Sequence, residues 1–204
     1  MEFQQFNIFP TTVLRFNTTS LLSKDDIEHA KSDIDSIIDN KKLLQINDRT
    51  PNWQSIPVLF RSNFAHGNNV WSKLKQSFES CCQIYLQNVK EFCNNQEDLS
   101  ITGSRAWFYK KDKLSNNEQN PWHNHYPSLL SGVFYLDANE NPFGGTEFHD
   151  PRVTPSLGTR NVEVVPILNT WVIFPGWMVH RTNDTKSANL TRYVIAADLY
   201  VKVY

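Results

Sequence analysis

The spacing of apolar residues divides the chain into a helical first part and a strand-rich second part. After Ser23, a residue type that caps helices, apolar side chains recur at helical spacing through residues 27–38. A second stripe of the same period runs through residues 71–89. Residues 12–16 form an extended apolar piece that predicts a strand before the first helix. We expect both helices to form a layer that packs on a sheet.

Beyond residue 100 the pattern changes to short apolar runs separated by clusters of Asn, Gly, Pro and Asp. No helical period connects these runs, so they predict an antiparallel sandwich or barrel. The expected fold class is therefore α+β in a single domain, with a helical support layer in residues 1–99 and a β core in residues 100–204. The predicted strands of the core are residues 104–110, 130–136, 146–149, 161–165, 171–174 and 193–200.

Composition and charge argue against several function classes. Of the 204 residues, 40% are hydrophobic and 20% are charged, as in ordinary globular proteins. The net charge of -1 provides no general attraction to nucleic acid or to an anionic membrane. No apolar run approaches the ~20 residues that span a bilayer. The first residues also lack the order of a signal peptide. We therefore expect neither a nucleic-acid nor a membrane partner.

The three cysteines indicate a reducing compartment. Cys81, Cys82 and Cys93 are odd in number, lack the paired spacing of zinc ligands, and fall where a helix is expected to present apolar positions. Buried, reduced thiols explain this arrangement better than a disulfide framework. We expect an intracellular, cytoplasmic protein.

The candidate chemistry begins with His123 and His125. On an extended segment, residues two apart point to the same side, so one nitrogen of each ring can reach a single metal ion. His180 follows a buried apolar run that ends at a proline, so all three histidines are expected at strand ends. Imidazole suits iron, zinc, copper or nickel, and three protein ligands leave coordination positions open. Histidines alone therefore predict a metal site without selecting the metal.

Arg192 stands at the start of the last apolar run. An always-charged guanidinium that points into an apolar barrel is costly unless an anion meets it. Val194 and Ala196 share its face of the strand and are small, so they leave a narrow slot beside it. A dicarboxylic acid fits such a slot, with one end on Arg192 and the other on the metal.

Other interpretations of these residues stay open. Any single histidine is more often a hydrogen-bonded structural residue than a ligand, and Arg192 could be an ordinary surface arginine on a strand. A cupin-like metal enzyme would share the three histidines but would have no need of Arg192. A non-catalytic jelly-roll binding module would bind nothing at the histidines.

A series of short segments occurs in the order of a known family. They are Phe-Pro-Thr-Thr-Val at 9–13, Asn-Trp-Gln-Ser at 52–55, His-Asn-His at 123–125, Leu-Ser-Gly-Val-Phe-Tyr-Leu at 130–136, Gly-Gly at 144–145, Asp-Pro-Arg at 150–152 and Phe-Pro-Gly-Trp at 174–177, followed by His180 and Arg192. In these segments the chain resembles a branch of the 2-oxoglutarate/Fe(II)-dependent oxygenases that is related to the prolyl hydroxylases and common in marine bacteria and phages.

The resemblance implies a double-stranded β-helix that binds Fe(II), 2-oxoglutarate and O2 and hydroxylates a C–H bond. It implies that His123, His125 and His180 hold the metal and that Arg192 pairs with 2-oxoglutarate. Nothing in the sequence identifies the substrate, and a small molecule or a peptide is the expected partner. For a phage protein, the expected location is the host cytoplasm.

Two positions depart from the family pattern. His125 stands where the family normally has Asp or Glu. Either three histidines bind the metal, or only two bind and water or another group completes the site, with Glu147 and Asp150 as less favoured donors. Val194 stands where the family often has a hydroxyl that helps to hold 2-oxoglutarate. The candidates for that hydroxyl are Tyr109, Ser131, Tyr135 and Thr191.

Overall fold

Two antiparallel sheets face each other, and two helices cover the outer side of the larger sheet. The computed structural model describes residues 11–41, 43–45, 53–61, 64, 69–89, 99–111, 120–137, 144–150, 161–182 and 191–203. Within these ranges the elements are β1 (Leu14–Asn17), α1 (Lys24–Asp39), β2 (Trp53–Gln54), α2 (Val70–Asn88), β3 (Leu99–Lys111), β4 (Leu130–Tyr135), β5 (Thr146–His149), β6 (Asn161–Val164), β7 (Thr170–Pro175), β8 (His180–Thr182) and β9 (Arg192–Val203).

The larger sheet has the strand order β1-β7-β4-β9-β3-β2, and the smaller has the order β6-β5-β8. The long strands β3 and β9 pair along almost their whole length, with a bulge between Ile101 and Gly103. Because side chains alternate across a strand, one face of the larger sheet meets the helices and the other meets the smaller sheet. The six residues of β4 are all buried, as expected for a central strand covered on both faces.

Helix α1 starts at the predicted cap. The Ser23 side chain accepts a hydrogen bond from the Asp26 backbone N–H at 3.1 Å, and the Asp26 carboxylate accepts one from the Ser23 backbone at 2.9 Å. This reciprocal capping box satisfies two N–H groups at the helix start. The buried stripe of the helix matches the residues that predicted it: Ile27, Ala30, Ile34, Ile37 and Ile38.

Helix α2 packs directly on the centre of the larger sheet. The rings of Phe78 and Trp171 lie 5.0 Å apart, and the Trp171 indole N–H donates to Ser77 Oγ at 2.9 Å. Gly132 on β4 allows this approach, because a β-carbon there would lie 2.8 Å from both Phe78 Cε2 and Ile173 Cδ1. A side chain at this position would push the helix away from the sheet.

The strand boundaries differ most from the predictions at the two long strands. Strand β3 begins at Leu99 rather than at residue 104, and β9 covers Arg192–Val203 rather than 193–200. The short strands β2 and β8 were not predicted, because two or three residues are too few to display an alternating pattern.

Two of the three cysteines are described. Cys81 and Cys82 are buried, free thiols on α2, as predicted, and burial raises the pKa of Cys81 to about 12. Cys93 lies outside the described residues, as do the residues of the segments at 9–10, 52 and 151–152. No helix among the described ranges is long and apolar enough to cross a membrane.

Candidate metal centre

Three imidazoles converge at one end of the space between the two sheets. The ring centroids are 4.5 Å apart for His123 and His180, 4.9 Å for His125 and His180, and 5.3 Å for His123 and His125. One nitrogen of each ring lies within 4.8 Å of those of the other two, so one ion can contact all three. His125 and His180 are buried, and His123 is partly exposed.

The backbone places these rings side by side. His123 forms an isolated antiparallel bridge with His180, with reciprocal N–H to carbonyl hydrogen bonds of 3.0 and 2.9 Å. The backbone N–H of His125 donates to the Gly176 carbonyl at 2.8 Å. The segment before β4 is therefore tied to the segment between β7 and β8, which brings together histidines far apart in sequence.

Each ring has its Nδ1 occupied by an acceptor. His123 Nδ1 lies 2.8 Å from the Pro121 carbonyl, His180 Nδ1 lies 2.9 Å from the Met178 carbonyl, and His125 Nδ1 lies 2.8 Å from Asp198 Oδ1. A carbonyl oxygen and an ionised carboxylate can only accept, so Nδ1 must carry the proton in all three rings. This tautomer leaves the Nε2 lone pair of each ring for a metal.

Burial keeps two of these imidazoles neutral. Burial, reinforced by the neighbouring imidazoles, lowers the pKa of His180 to about 3. Burial likewise lowers the pKa of His123. A neutral imidazole is the form that binds a metal, so His123 and His180 are ready for an ion at neutral pH without first losing a proton.

Asp198 on β9 was not predicted as a site residue, yet it is fully buried beside the histidines. Its Oδ1 accepts from His125 Nδ1 and from Ser131 Oγ, both at 2.8 Å. Its Oδ2 accepts from Arg105 at 3.3 Å and from the Tyr200 hydroxyl at 3.2 Å. Burial acts to raise the pKa of Asp198, but the hydrogen bonds from His125 and Ser131 and the charge of Arg105 outweigh it and hold that pKa below its usual value.

Arg192 faces the same cavity as the histidines. It is 8% exposed, and its guanidinium lies 5.8 Å from the Tyr135 ring. The cavity has a volume of about 520 Å³. Its lining includes the three histidines, Arg192, Arg105, Trp107, Tyr109, Asn124, Val133, Thr146, Arg181, Val194, Ala196 and Asp198. The predicted histidines and the predicted arginine therefore share one pocket.

The hydroxyl candidates occupy different places. Tyr109 lines the cavity on β3, directly across from Val194 on β9. The Ser131 hydroxyl donates to Asp198, and the Tyr135 hydroxyl is 2.8 Å from Thr146 Oγ1. Neither Ser131, Tyr135 nor Thr191 is among the described residues that line the cavity.

The two alternative carboxylate donors lie apart from the rings. Glu147 accepts a 2.7 Å hydrogen bond from Arg181 Nε, and the Arg181 guanidinium lies 4.2 Å from the Trp122 ring centre. Within the described part of the chain, neither Glu147 nor Asp150 joins the group of donor atoms formed by the three histidines.

The fold of the chain, but not its sequence, matches known proteins. No family model and no curated protein matches the sequence. Among solved structures, a Pseudomonas putida prolyl-4-hydroxylase matches with a TM-score of 0.60 at 11% identity, over 93% of this chain and 92% of that one. A Trichoplax adhaerens prolyl hydroxylase, in complex with a hypoxia inducible factor peptide fragment, matches with a TM-score of 0.62 at 12% identity, over 92% and 83%.

The chain has the prolyl-4-hydroxylase fold. The predicted double-stranded β-helix is thereby confirmed, and the family resemblance is supported at the level of the fold. The same fold is found in HygX from Streptomyces hygroscopicus, which was solved with nickel and 2-oxoglutarate bound. HygX matches with a TM-score of 0.57 at 12% identity, over 93% of this chain and 82% of its own.

Proposed function

We propose that this protein is a non-haem Fe(II) oxygenase that couples the oxidative decarboxylation of 2-oxoglutarate to hydroxylation of a substrate. The observation that supports this most strongly is the convergence of His123, His125 and His180, each with Nδ1 engaged, in one cavity with the buried Arg192. We also propose that the chain forms a single oxygenase domain, because the structural matches extend over 92–93% of it.

The donor set fits a divalent iron ion. Neutral imidazole is a good ligand for iron, and three ligands on one side leave positions open for a chelating acid and for O2. In this proposal His123, His125 and His180 hold the ion through Nε2. Their protonated Nδ1 atoms keep the rings oriented.

Arg192 is the proposed partner of 2-oxoglutarate. Its fixed fork of N–H donors matches a carboxylate, and an anion would offset the cost of burying the guanidinium. We propose Tyr109, rather than Ser131 or Tyr135, as the neighbouring hydroxyl, because Tyr109 lines the cavity. When iron is bound, 2-oxoglutarate and O2 supply the oxidation: CO2 is lost, one oxygen atom goes to succinate, and the other is inserted into the substrate C–H bond.

Apolar residues are proposed to keep water from the reacting centre. Val133 and Val194 line the cavity together with the histidines and Arg192. In the same apolar cluster as these valines, Phe148 and Phe174 pack edge to face with ring centroids 4.9 Å apart. Exclusion of water strengthens each electrostatic contact in the pocket and limits side reactions.

The proposed substrate is a small molecule or a peptide. A cavity of about 520 Å³ is of the size that holds small ligands. The fold accepts both kinds of molecule, since the Trichoplax adhaerens enzyme was solved with a peptide fragment and HygX with hygromycin B. The buried thiols of Cys81 and Cys82 support an intracellular location.

The test is oxygen-dependent formation of succinate from 2-oxoglutarate by the Fe(II)-loaded protein, without added substrate. We expect slow uncoupled turnover by the wild type and none by His180→Ala or Arg192→Ala. His149→Ala is the matched control, because His149 Nδ1 contacts Asn161 Oδ1 at 3.1 Å and the ring lies outside the histidine cluster. Metal binding without any response to 2-oxoglutarate would favour a cupin-like enzyme, and no metal binding would favour a non-catalytic module.

A further inference from the structure

We propose that Asp198 is a positioning residue for the metal ligand His125, and that it supplies to the site the negative charge that three neutral imidazoles lack. This inference rests on the proposed metal site. It concerns a residue that touches neither metal nor co-substrate and acts through the ring it holds.

Asp198 is distinct from the other groups that hold the rings. His123 and His180 donate to carbonyls of the residues two positions before them, Pro121 and Met178. These contacts are local and carry no full charge. His125 instead donates to a carboxylate on β9, 73 positions away in sequence. Among the described residues, Asp198 is the only carboxylate bonded to one of the three rings.

The sheet fixes the carboxylate in place. In the strand register, Asp198 lies directly between Ser131 on β4 and Arg105 on β3. Ser131 donates a hydrogen bond to Oδ1 of Asp198, and Arg105 donates one to Oδ2. The Tyr200 hydroxyl donates a further hydrogen bond to Oδ2. Because three adjacent strands hold these groups, the carboxylate cannot turn away from His125 without breaking several hydrogen bonds.

The positive charges in and around the proposed metal site explain why a buried carboxylate is needed beside it. A divalent ion on three imidazoles keeps its full positive charge, and Arg105 and Arg192 line the same cavity. A buried cation is costly unless an anion compensates it. A carboxylate that accepts a hydrogen bond from Nδ1 of a ligand imidazole makes Nε2 of the same ring a stronger electron donor to the metal. Removal of such a carboxylate commonly weakens metal binding by about 10- to 100-fold.

The experiment measures Zn(II) affinity by competition with a chromophoric chelator, because zinc binds the same nitrogens and is redox-inactive. We expect Asp198→Asn to bind zinc about 10- to 100-fold more weakly than the wild type. Glu147→Gln is the matched control, because it removes the same charge from a carboxylate that bonds Arg181 rather than an imidazole. Tyr200→Phe removes one donor from Asp198 and keeps its carboxylate. Both controls are expected to retain wild-type affinity.

Equal zinc affinity in Asp198→Asn and the wild type overturns the inference, as does an equal loss in Glu147→Gln. A second measurement needs no variant. Long-range proton–nitrogen NMR of the wild-type zinc form should show His125 protonated at Nδ1, with that proton protected from exchange, and protonation at Nε2 would overturn the inference. If the wild type binds no metal, the proposed function and the inference both fail. If it binds metal and Asp198→Asn is unchanged, only the inference fails.

Discussion

Gly144 packs against the guanidinium of Arg192. A β-carbon on Gly144 would lie 3.3 Å from Arg192 Nη1, and the glycine has a φ of +94°. This conformation is open to glycine and strained for other residues. The turn before β5 therefore places backbone without a side chain directly against Arg192, the proposed partner of the co-substrate. This contact holds the guanidinium in the cavity.

Gly144→Ala is predicted to weaken 2-oxoglutarate binding. The added methyl group would lie 3.3 Å from Arg192 Nη1, so the guanidinium must shift from the position in which it meets the co-substrate. A loss of about 1 kcal/mol in binding free energy corresponds to a roughly fivefold higher dissociation constant. The strained backbone lowers the stability of the fold separately, by about 1–3 kcal/mol. Isothermal titration of the anaerobic Fe(II) protein measures this change, and the affinity for the metal should stay unchanged. Gly103→Ala is the control, because no atom lies within 4 Å of its β-carbon position. Equal 2-oxoglutarate affinity in Gly144→Ala and the wild type would show that the contact has no role.

Gly132→Ala is predicted to destabilise the fold without altering the metal site. The new β-carbon would lie 2.8 Å from Phe78 Cε2 and from Ile173 Cδ1, on the face of β4 opposite to the cavity. Such overpacking of a core costs about 1–3 kcal/mol. Urea unfolding measures the loss, and zinc titration checks the site. A variant as stable as the wild type would mean that α2 does not pack this closely.

The sequence predicts those structural features that depend on residues close together in the chain, and it misses those that depend on residues far apart. The cap of α1 at Ser23 and the apolar stripes of both helices are local patterns, and they predicted both helices. His123 and His125 lie two positions apart on one extended segment, so their shared direction followed from strand geometry. Strands β2 and β8 gave no such signal because they are too short.

Asp198 could not be predicted from local patterns. Asp198 lies on the same face of β9 as Arg192, Val194 and Ala196. An acidic residue on this face indicates a polar partner, but the sequence does not show which residue that partner is. The contact with His125 exists because β9 lies between β4 and β3, and this strand order emerges only from the complete sheet. For the same reason, the sequence predicted Ser131 only as a candidate hydroxyl for 2-oxoglutarate, whereas in the structure it donates to Asp198.

Asp26→Asn is predicted to destabilise the protein at neutral pH but not in acid. The hydrogen bond from Lys73, and further bonds from Ser23, outweigh burial and hold the pKa of Asp26 below its usual value. The ionised carboxylate therefore stabilises the fold above the unfolded-chain pKa of about 3.9. That contribution is lost as the pH falls through the lower, folded-state pKa.

The expected difference in unfolding free energy between Asp26→Asn and the wild type is on the order of 1 kcal/mol at neutral pH. It should shrink as the pH falls below about 4. Denaturant unfolding at several pH values provides the measurement. Asp25→Asn removes the same charge from the same helical turn without touching the capping box. If the difference in unfolding free energy between Asp26→Asn and the wild type stayed the same in acid, it would not come from the ionised Asp26 carboxylate.

The thiols of Cys81 and Cys82 are predicted to be unreactive in the folded protein. Both are buried, and burial raises the pKa of Cys81 to about 12 and that of Cys82 well above its usual value. The thiolate is the reactive form, so little is present at mildly alkaline pH. In a Cys93→Ser background, a disulfide reagent should label both thiols only after denaturant is added. Rapid labelling of the native protein would contradict the packing of α2.

The central claim is that three histidines and Arg192 hold Fe(II) and 2-oxoglutarate together, and visible absorption under anaerobic conditions tests it most directly. Addition of 2-oxoglutarate to the Fe(II) protein should produce a weak charge-transfer band in the wild type and in His149→Ala. The band should be absent from His180→Ala and, at the same 2-oxoglutarate concentration, from Arg192→Ala. No band in the folded wild-type protein, or an undiminished band in Arg192→Ala, would contradict the account.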